Sequence, residues 1–216
     1  YIHTTVPGTK NAVCKCKPLS RSFFKMIETV KTMRLMDILP KDSAKTYHFA
    51  EGPGGFIEAI AYLRENEKDK YYGMTLLDDS DTSVPGWKKS QQFLENNPNV
   101  IIEGGVTGDG DMLKAENLKE CYQKHHNSCQ LVTADGGFDF TNDFNHQEIM
   151  SLKLAYAQVA YALSCQQLGG AFVIKVFDTF TPASIDLLYI LANAYEKVYF
   201  FKPNTSRSAN SEKYIV

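Results

Sequence analysis

Thr46-Tyr47-His48-Phe49-Ala50-Glu51-Gly52-Pro53-Gly54-Gly55-Phe56 decides how the rest of the chain is read. Residues 46–50 have the aromatic and β-branched content of a short strand, and the apolar spacing from Phe56 to about Glu65 predicts a helix. A strand that passes through a glycine-rich turn into a helix is the first half of a βα unit. Such a turn lets backbone approach a nucleoside or methionine moiety closely, with helix N–H groups facing it. The loop lacks the Gly-Lys-Ser/Thr of a Walker loop and the G-x-G-x-x-G dinucleotide fingerprint. Taken alone, it is also compatible with a tight turn that binds nothing.

Outward from this unit the pattern repeats. Strands are predicted at 71–77, 100–102, 130–134, 171–177, near 197–201 and at 213–216, and helices at 88–94, 114–125, 145–167 and 182–195. Gly169-Gly170 is expected to end the long helix before the fifth strand. In front of the first strand, Phe23, Phe24, Ile27, Val30, Met33 and Leu35 recur at helical spacing over 19–38, with Ser20 or Ser22 available as N-cap. Alternating strands and helices, with several strands apolar throughout, predict a doubly wound α/β domain with a mostly parallel seven-stranded sheet. The last two strands follow each other without a helix, so one of them is expected to run antiparallel. Ligands of such sheets sit at the carboxyl ends of the strands.

The chain has 216 residues, 44% hydrophobic and 22% charged, which suits a single domain over 1–216 with a substantial core. No apolar run is long enough to cross a bilayer, so no membrane partner is expected. No signal-peptide pattern precedes the fold, and a trimmed or excised domain is expected. Five cysteines at irregular spacing argue against a disulfide framework and for a reducing, intracellular compartment. Cys121-x3-His125-His126-x2-Cys129 lacks the paired CxxC spacing of zinc sites, so no metal is expected and solvated histidines with ordinary thiols are the reading. The net charge of −2 hides an asymmetry: residues 1–36 carry seven cations against Glu28, a net +6, leaving −8 for the remainder. Lys15, Lys17 and Arg21 in this segment are either a solvated helix face or a basic lip that holds phosphates beside an active site.

Four further places carry chemistry. Thr133-Ala134-Asp135-Gly136-Gly137 sets an acid at the carboxyl end of the fourth strand. Lys175 interrupts the apolar strand Phe172-Val173-Ile174-Lys175-Val176-Phe177, where an unpaired charge is costly, so it must face a polar site or an acid. Glu212 opens the last strand behind Ser206-Arg207-Ser208, and the basic helix offers Lys25.

In the order Lys25, Asp135, Lys175, Glu212 the chain resembles the K-D-K-E tetrad of FtsJ-type RNA ribose 2′-O-methyltransferases. Ser20-Arg21-Ser22-Phe23-Phe24-Lys25-Met26 is similar to their opening motif. GPGGF at 52–56, GMTL at 73–76, GDGD at 108–111, ADGGF at 134–138, K-x-F-D-x-F-T-P at 175–182 and TSRSANSEKY at 205–214 are most similar to the eukaryotic and viral cap-specific mRNA enzymes. Glu51 and the segment between GMTL and GDGD depart from the pattern. Trp87, the sole tryptophan, is read either as a core anchor or as a stacking residue for the cap guanine.

The resemblance implies a Rossmann-like methyltransferase fold, S-adenosyl-L-methionine as cofactor and S-adenosyl-L-homocysteine as product. It implies catalytic roles for Lys25, Asp135, Lys175 and Glu212. The methionine end of the cofactor would lie against Ala50, Glu51, Gly52, Pro53, Gly54, Gly55 and Phe56, its adenine near Asp111 and Met112, with Ser20 and Asp135 also in contact. Lys15, Lys17, Arg21 and Arg207 would meet RNA. The substrate implied is the 5′ end of capped mRNA, with other capping enzymes or RNA polymerase as partners, in the nucleus of a cell or the host cytoplasm for a large DNA virus. Three other readings remain open: the same chemistry on rRNA or tRNA, a catalytically silent RNA- or partner-binding domain, and a dehydrogenase-like dinucleotide binder, whose fingerprint is missing.

Overall fold

The computed structural model describes residues 7–9, 14, 16–78, 80, 81, 84–137 and 146–216. Lys15 and Phe138, both singled out above, lie outside the described residues. Among those described, the order is α1 (Ser22–Met33), β1 (Lys45–Phe49), α2 (Gly55–Arg64), β2 (Lys70–Met74), α3 (Gln91–Asn96), β3 (Val100–Ile102) and α4 (Ala115–His125). Then come β4 (Cys129–Ala134), α5 (Gln147–Cys165), β5 (Gln166–Val176), α6 (Pro182–Ala194), β6 (Phe200–Phe201) and β7 (Lys213–Ile215). The strands form one seven-stranded sheet in the order β3-β2-β1-β4-β5-β7-β6. The ladders from β3 through β5 are parallel, and β7 runs antiparallel to both β5 and β6. The expected doubly wound sheet with one reversed strand is what forms.

The central strands bury both faces, so their residues alternate between two cores. Tyr47, Phe49, Val132, Ala134, Phe172 and Ile174 pack with Val159, Tyr161 and Leu187 of α5 and α6. Leu131, Val173 and Tyr214 pack on the other side with Phe23, Met26 and Val30 of α1 and Phe56, Ile57 and Ile60 of α2. Asp135 follows Leu131 and Thr133, Lys175 follows Val173, and Glu212 precedes Tyr214, each at a spacing of two. The pleat therefore turns all three toward the face that α1 covers.

Several local expectations change. The predicted 19–38 helix ends at Met33, because Arg34 adopts a left-handed φ of 56° and a 3₁₀ turn follows over Leu35–Ile38. Neither Ser20 nor Ser22 caps α1. Arg21 is the N-cap, and the two serine hydroxyls bond each other at 2.5 Å. Gly169-Gly170 does not end α5, which stops at Cys165. The glycines lie inside β5, where the register jumps from Cys129↔Gln166 to Leu131↔Ala171 and the extra residues bulge out. β2 ends at Met74 rather than 77, and α3 begins three residues later than the predicted 88. The start of α6 follows its sequence: Thr181 accepts the Ser184 N–H and Pro182 fills the first turn, a cap of about 1 kcal/mol.

Candidate active site

The carboxyl ends of β1 to β5 all lie on one edge of the sheet, and the loops leaving them build the site. One step beyond the Ala134↔Ile174 pair, Asp135 and Lys175 stand side by side on neighbouring strands. Lys175 Nζ donates to the Asp135 carbonyl oxygen at 2.7 Å and lies 3.3 Å from its Oδ1. Tyr214, opposite Lys175 on β7, donates its hydroxyl to the same Oδ1 at 2.9 Å. Burial pushes the Tyr214 phenol up, and the charges of Asp135 and Glu212 add to this, so the hydroxyl remains a donor.

Glu212 and Lys25 form the second pair, 2.7 Å apart, with side chains only 9% and 15% exposed. Ser206 Oγ donates to the same Glu212 Oε1 at 2.7 Å. Burial acts to raise the Glu212 pKa. The adjacent Lys25, the Ser206 hydroxyl and the more distant Lys175 outweigh it and hold the carboxyl below its usual value. Lys202 Nζ donates to the Glu212 carbonyl at 2.7 Å, and burial followed by the neighbouring cations Lys213 and Lys25 lowers its pKa. The four sequence candidates thus meet as two ion pairs, and both cations act on Glu212.

Around them the glycine-rich loops are closely engaged. Ser20 and Ser22 pack onto Gly55, where a Cβ would fall 2.2 Å from both hydroxyl oxygens; any side chain there would push α1, and Lys25 with it, off α2. The buried carboxyl of Glu51 accepts the N–H groups of Phe56 at 2.8 Å and Ile57 at 3.1 Å. Those two helix N–H groups, expected to face a ligand, are therefore already taken. Burial, reinforced by the charge of Asp135, raises the Glu51 pKa against those two bonds. After β3, Asp111 Oδ1 accepts the Leu113 N–H at 2.9 Å, and Met112 is buried.

Trp87 is partly buried against the α1/α2 core, its ring over Gly54 and Gly73, and its indole N–H is buried without a partner. His125 Nε2 bonds Glu103 at 2.9 Å, and His126 faces the Ser164 carbonyl. Among the described residues no three His, Cys, Asp or Glu side chains are grouped to hold a metal ion. Lys17, Arg21 and Arg207 are exposed. Sequence reasoning passed over Tyr214 and Ser206, although both stand in the quoted 205–214 motif. It also passed over Phe180, 84% exposed five residues beyond Lys175, whose signal was an aromatic beside Thr181 and Pro182 at a helix start.

The chain matches the FtsJ-like methyltransferase family over residues 18–216. It is 36% identical over 217 residues to "Cap-specific mRNA (nucleoside-2'-O-)-methyltransferase 1" of Homo sapiens, covering 92% of this chain and 26% of that protein. The Drosophila melanogaster protein of the same name is 33% identical over 213 residues, with the same coverage of 92% and 26%. The chain spans about a quarter of the length of these relatives. Among solved structures it is similar to a putative ribosomal RNA methyltransferase from Plasmodium falciparum, with a TM-score of 0.60, 17% identity and coverage of 91% of this chain and 94% of that one. It is also similar to human Methyltransferase-like protein 13 in complex with SAH, with a TM-score of 0.57, 10% identity and coverage of 91% and 81%. At those identities the likeness speaks for the Rossmann-like methyltransferase fold alone. The family match over 18–216, together with relatives of more than 30% identity across most of the chain, establishes that this chain belongs to the FtsJ-like methyltransferase family.

Proposed function

We propose that the chain catalyses methyl transfer from S-adenosylmethionine to the ribose 2′-hydroxyl of the first transcribed nucleotide of capped mRNA. The convergence of Lys25, Asp135, Lys175 and Glu212 at the carboxyl edge of the sheet carries this reading. Two features fit the cofactor. The Asp135 carboxylate, 13% exposed, stands at the open end of β4, where a sulfonium cation is electrostatically welcome. Beside it Gly137 leaves Lys175 uncovered, since a Cβ there would come within 3.1 Å of Nζ. The methionine end would rest on backbone of the 50–54 loop and the adenine near Asp111 and Met112. S-adenosylmethionine supplies a methyl group already activated by its sulfonium, so positioning and electrostatics are what the protein must add.

A ribose 2′-hydroxyl is a poor nucleophile at neutral pH and must be oriented and relieved of its proton. Lys175 does this, either by accepting the proton as a free amine or by stabilising the developing alkoxide as an ammonium. Asp135 and Tyr214 fix its direction, and Lys25 with Glu212 completes the frame around the hydroxyl. Phe180, five residues beyond Lys175 in the chain, offers a flat, exposed ring for stacking a nucleobase. Lys17, Arg21 and Arg207 supply exposed cations for phosphates. Other capping enzymes or RNA polymerase at the same transcript end are the proposed partners.

The test incubates the chain with labelled S-adenosylmethionine and matched short RNAs, one with an N7-methylguanosine cap and one with a bare 5′ end. Label on the first nucleotide's 2′-oxygen of the capped RNA alone is expected. Equal label on both would move the substrate to structured RNA. No label on either, with cofactor bound, would point to a silent domain.

A further inference from the structure

Glu28 is the sole acid among the cations of residues 1–36, one helical turn beyond Lys25 on α1. Its Oε1 accepts the Asn204 backbone N–H at 2.7 Å and Asn204 Nδ2 at 2.9 Å. Its Oε2 accepts the Thr205 N–H at 3.0 Å and the Thr205 hydroxyl at 2.9 Å. Burial acts to raise the pKa, and these four donors outweigh it, so the carboxyl titrates below its usual value. Hydrogen bonds to an ionised acceptor are the strong ones. The next residue, Ser206, donates to Glu212 Oε1, the oxygen that faces Lys25. A closed circuit results: α1 holds residues 204 and 205 through Glu28, residue 206 holds Glu212, and Glu212 returns to α1 through Lys25. Lys202 closes the base of the loop by binding Asn210 O at 2.7 Å and Glu212 O at 2.7 Å.

We propose that Glu28 is a positioning residue of the active site, strapping the 204–206 loop to α1 so that Glu212 meets Lys25 in line with the Lys175–Asp135 pair. The inference rests on the methyl-transfer reading above. The need for a strap is physical. Asp135 and Lys175 are aligned by the β4–β5 ladder, whereas Glu212 stands just before β7 and Lys25 rides on a helix held to the sheet through apolar side chains. Apolar packing sets depth well and axial position poorly. A misplacement of about 1 Å at a reacting centre costs roughly a hundredfold in rate.

Glu28→Gln tests this, because the amide keeps the size but turns an –NH₂ group toward donors. On capped RNA we expect kcat to fall by at least about tenfold, with cofactor affinity within about twofold of the parent. In a Glu212→Gln background the same change should have almost no further effect on residual single-turnover methylation, because Glu28 acts through Glu212. Unchanged kcat, or an equal loss in both backgrounds, would overturn the proposal. A readout without turnover is the Glu212 carboxyl resonance, expected to titrate at higher pH in the Glu28→Gln chain. If the parent methylates no RNA, that titration alone decides: a shift upholds the strap while the activity reading falls, and no shift removes the strap as well. Should Glu28→Gln fail to fold, Thr205→Val removes one donor from the other side. It should give a smaller loss of about two- to threefold with the same dependence on Glu212, and its absence counts against the strap.

Discussion

Lys175 and Asp135 sit side by side on adjacent parallel strands, the ammonium 2.7 Å from the aspartate's carbonyl oxygen and 3.3 Å from its carboxylate. The contact follows from register, since the Thr133↔Val173 and Ala134↔Ile174 pairs leave these two as the next step of the ladder. Tyr214 completes the row from β7. A largely buried cation, its counter-ion and a neutral donor are thus brought together by main-chain pairing.

Lys175→Ala should therefore remove methyl transfer, a loss of roughly 10²–10⁴-fold, while cofactor binding stays largely intact. Initial rates on capped RNA and calorimetric titration of S-adenosylmethionine check the two halves. Normal turnover by a folded variant would sink the assignment of Lys175.

Asp135→Ala should behave differently. It strips the carboxylate from the proposed sulfonium position and from the Lys175 and Tyr214 contacts, so both cofactor affinity and turnover should fall. Titration that returns the parent's cofactor affinity would mean the carboxylate does not face the sulfonium.

Neutralising Lys17 or Arg21 should weaken RNA binding and flatten its dependence on salt, by roughly 0.7–0.9 in log–log slope for each phosphate left without its cation. Fluorescence anisotropy over a salt series reads this. An unchanged slope would leave those cations as a solvated surface.

His48 makes stability acid-sensitive. It has no exposed surface, and its ring nitrogens lie 2.7 Å from Thr46 Oγ1 and 2.8 Å from Thr133 Oγ1. Burial pushes its pKa down from 6.5 to about 3. The unfolded chain binds a proton near 6.5 and the folded chain does not, so this contribution is whole above pH 6.5 and lost as pH falls toward 3. The loss is on the order of a few kcal/mol. Melting temperatures across that window should fall less steeply in His48→Gln than in the parent; parallel curves would assign the acid sensitivity to other groups.

Much of this architecture is legible in the sequence. The strand-turn-helix at 46–56 and the later alternation of strands and helices are written in local periodicity, and local periodicity needs no partner. The misjudged boundaries share a cause. Arg34 carries no glycine or proline signal for a left-handed residue, and the bulge at residues 167–170 exists only because β5 must meet β4 in register. Glu51 stands out in the sequence as a departure within the glycine-rich loop, and only the folded turn brings its carboxyl onto the Phe56 and Ile57 amides.

The sequence by itself determined the sheet class and the four candidate side chains. Tertiary structure alone decided that β7 lies beside β5, which places Tyr214 against Asp135 and Glu212 near Lys175. It also decided that Glu28 ties the 204–206 loop to the helix bearing Lys25. The physical reason is range. Periodicity and turn chemistry act within a few residues, whereas strand order and helix docking depend on which apolar faces find each other across the whole chain.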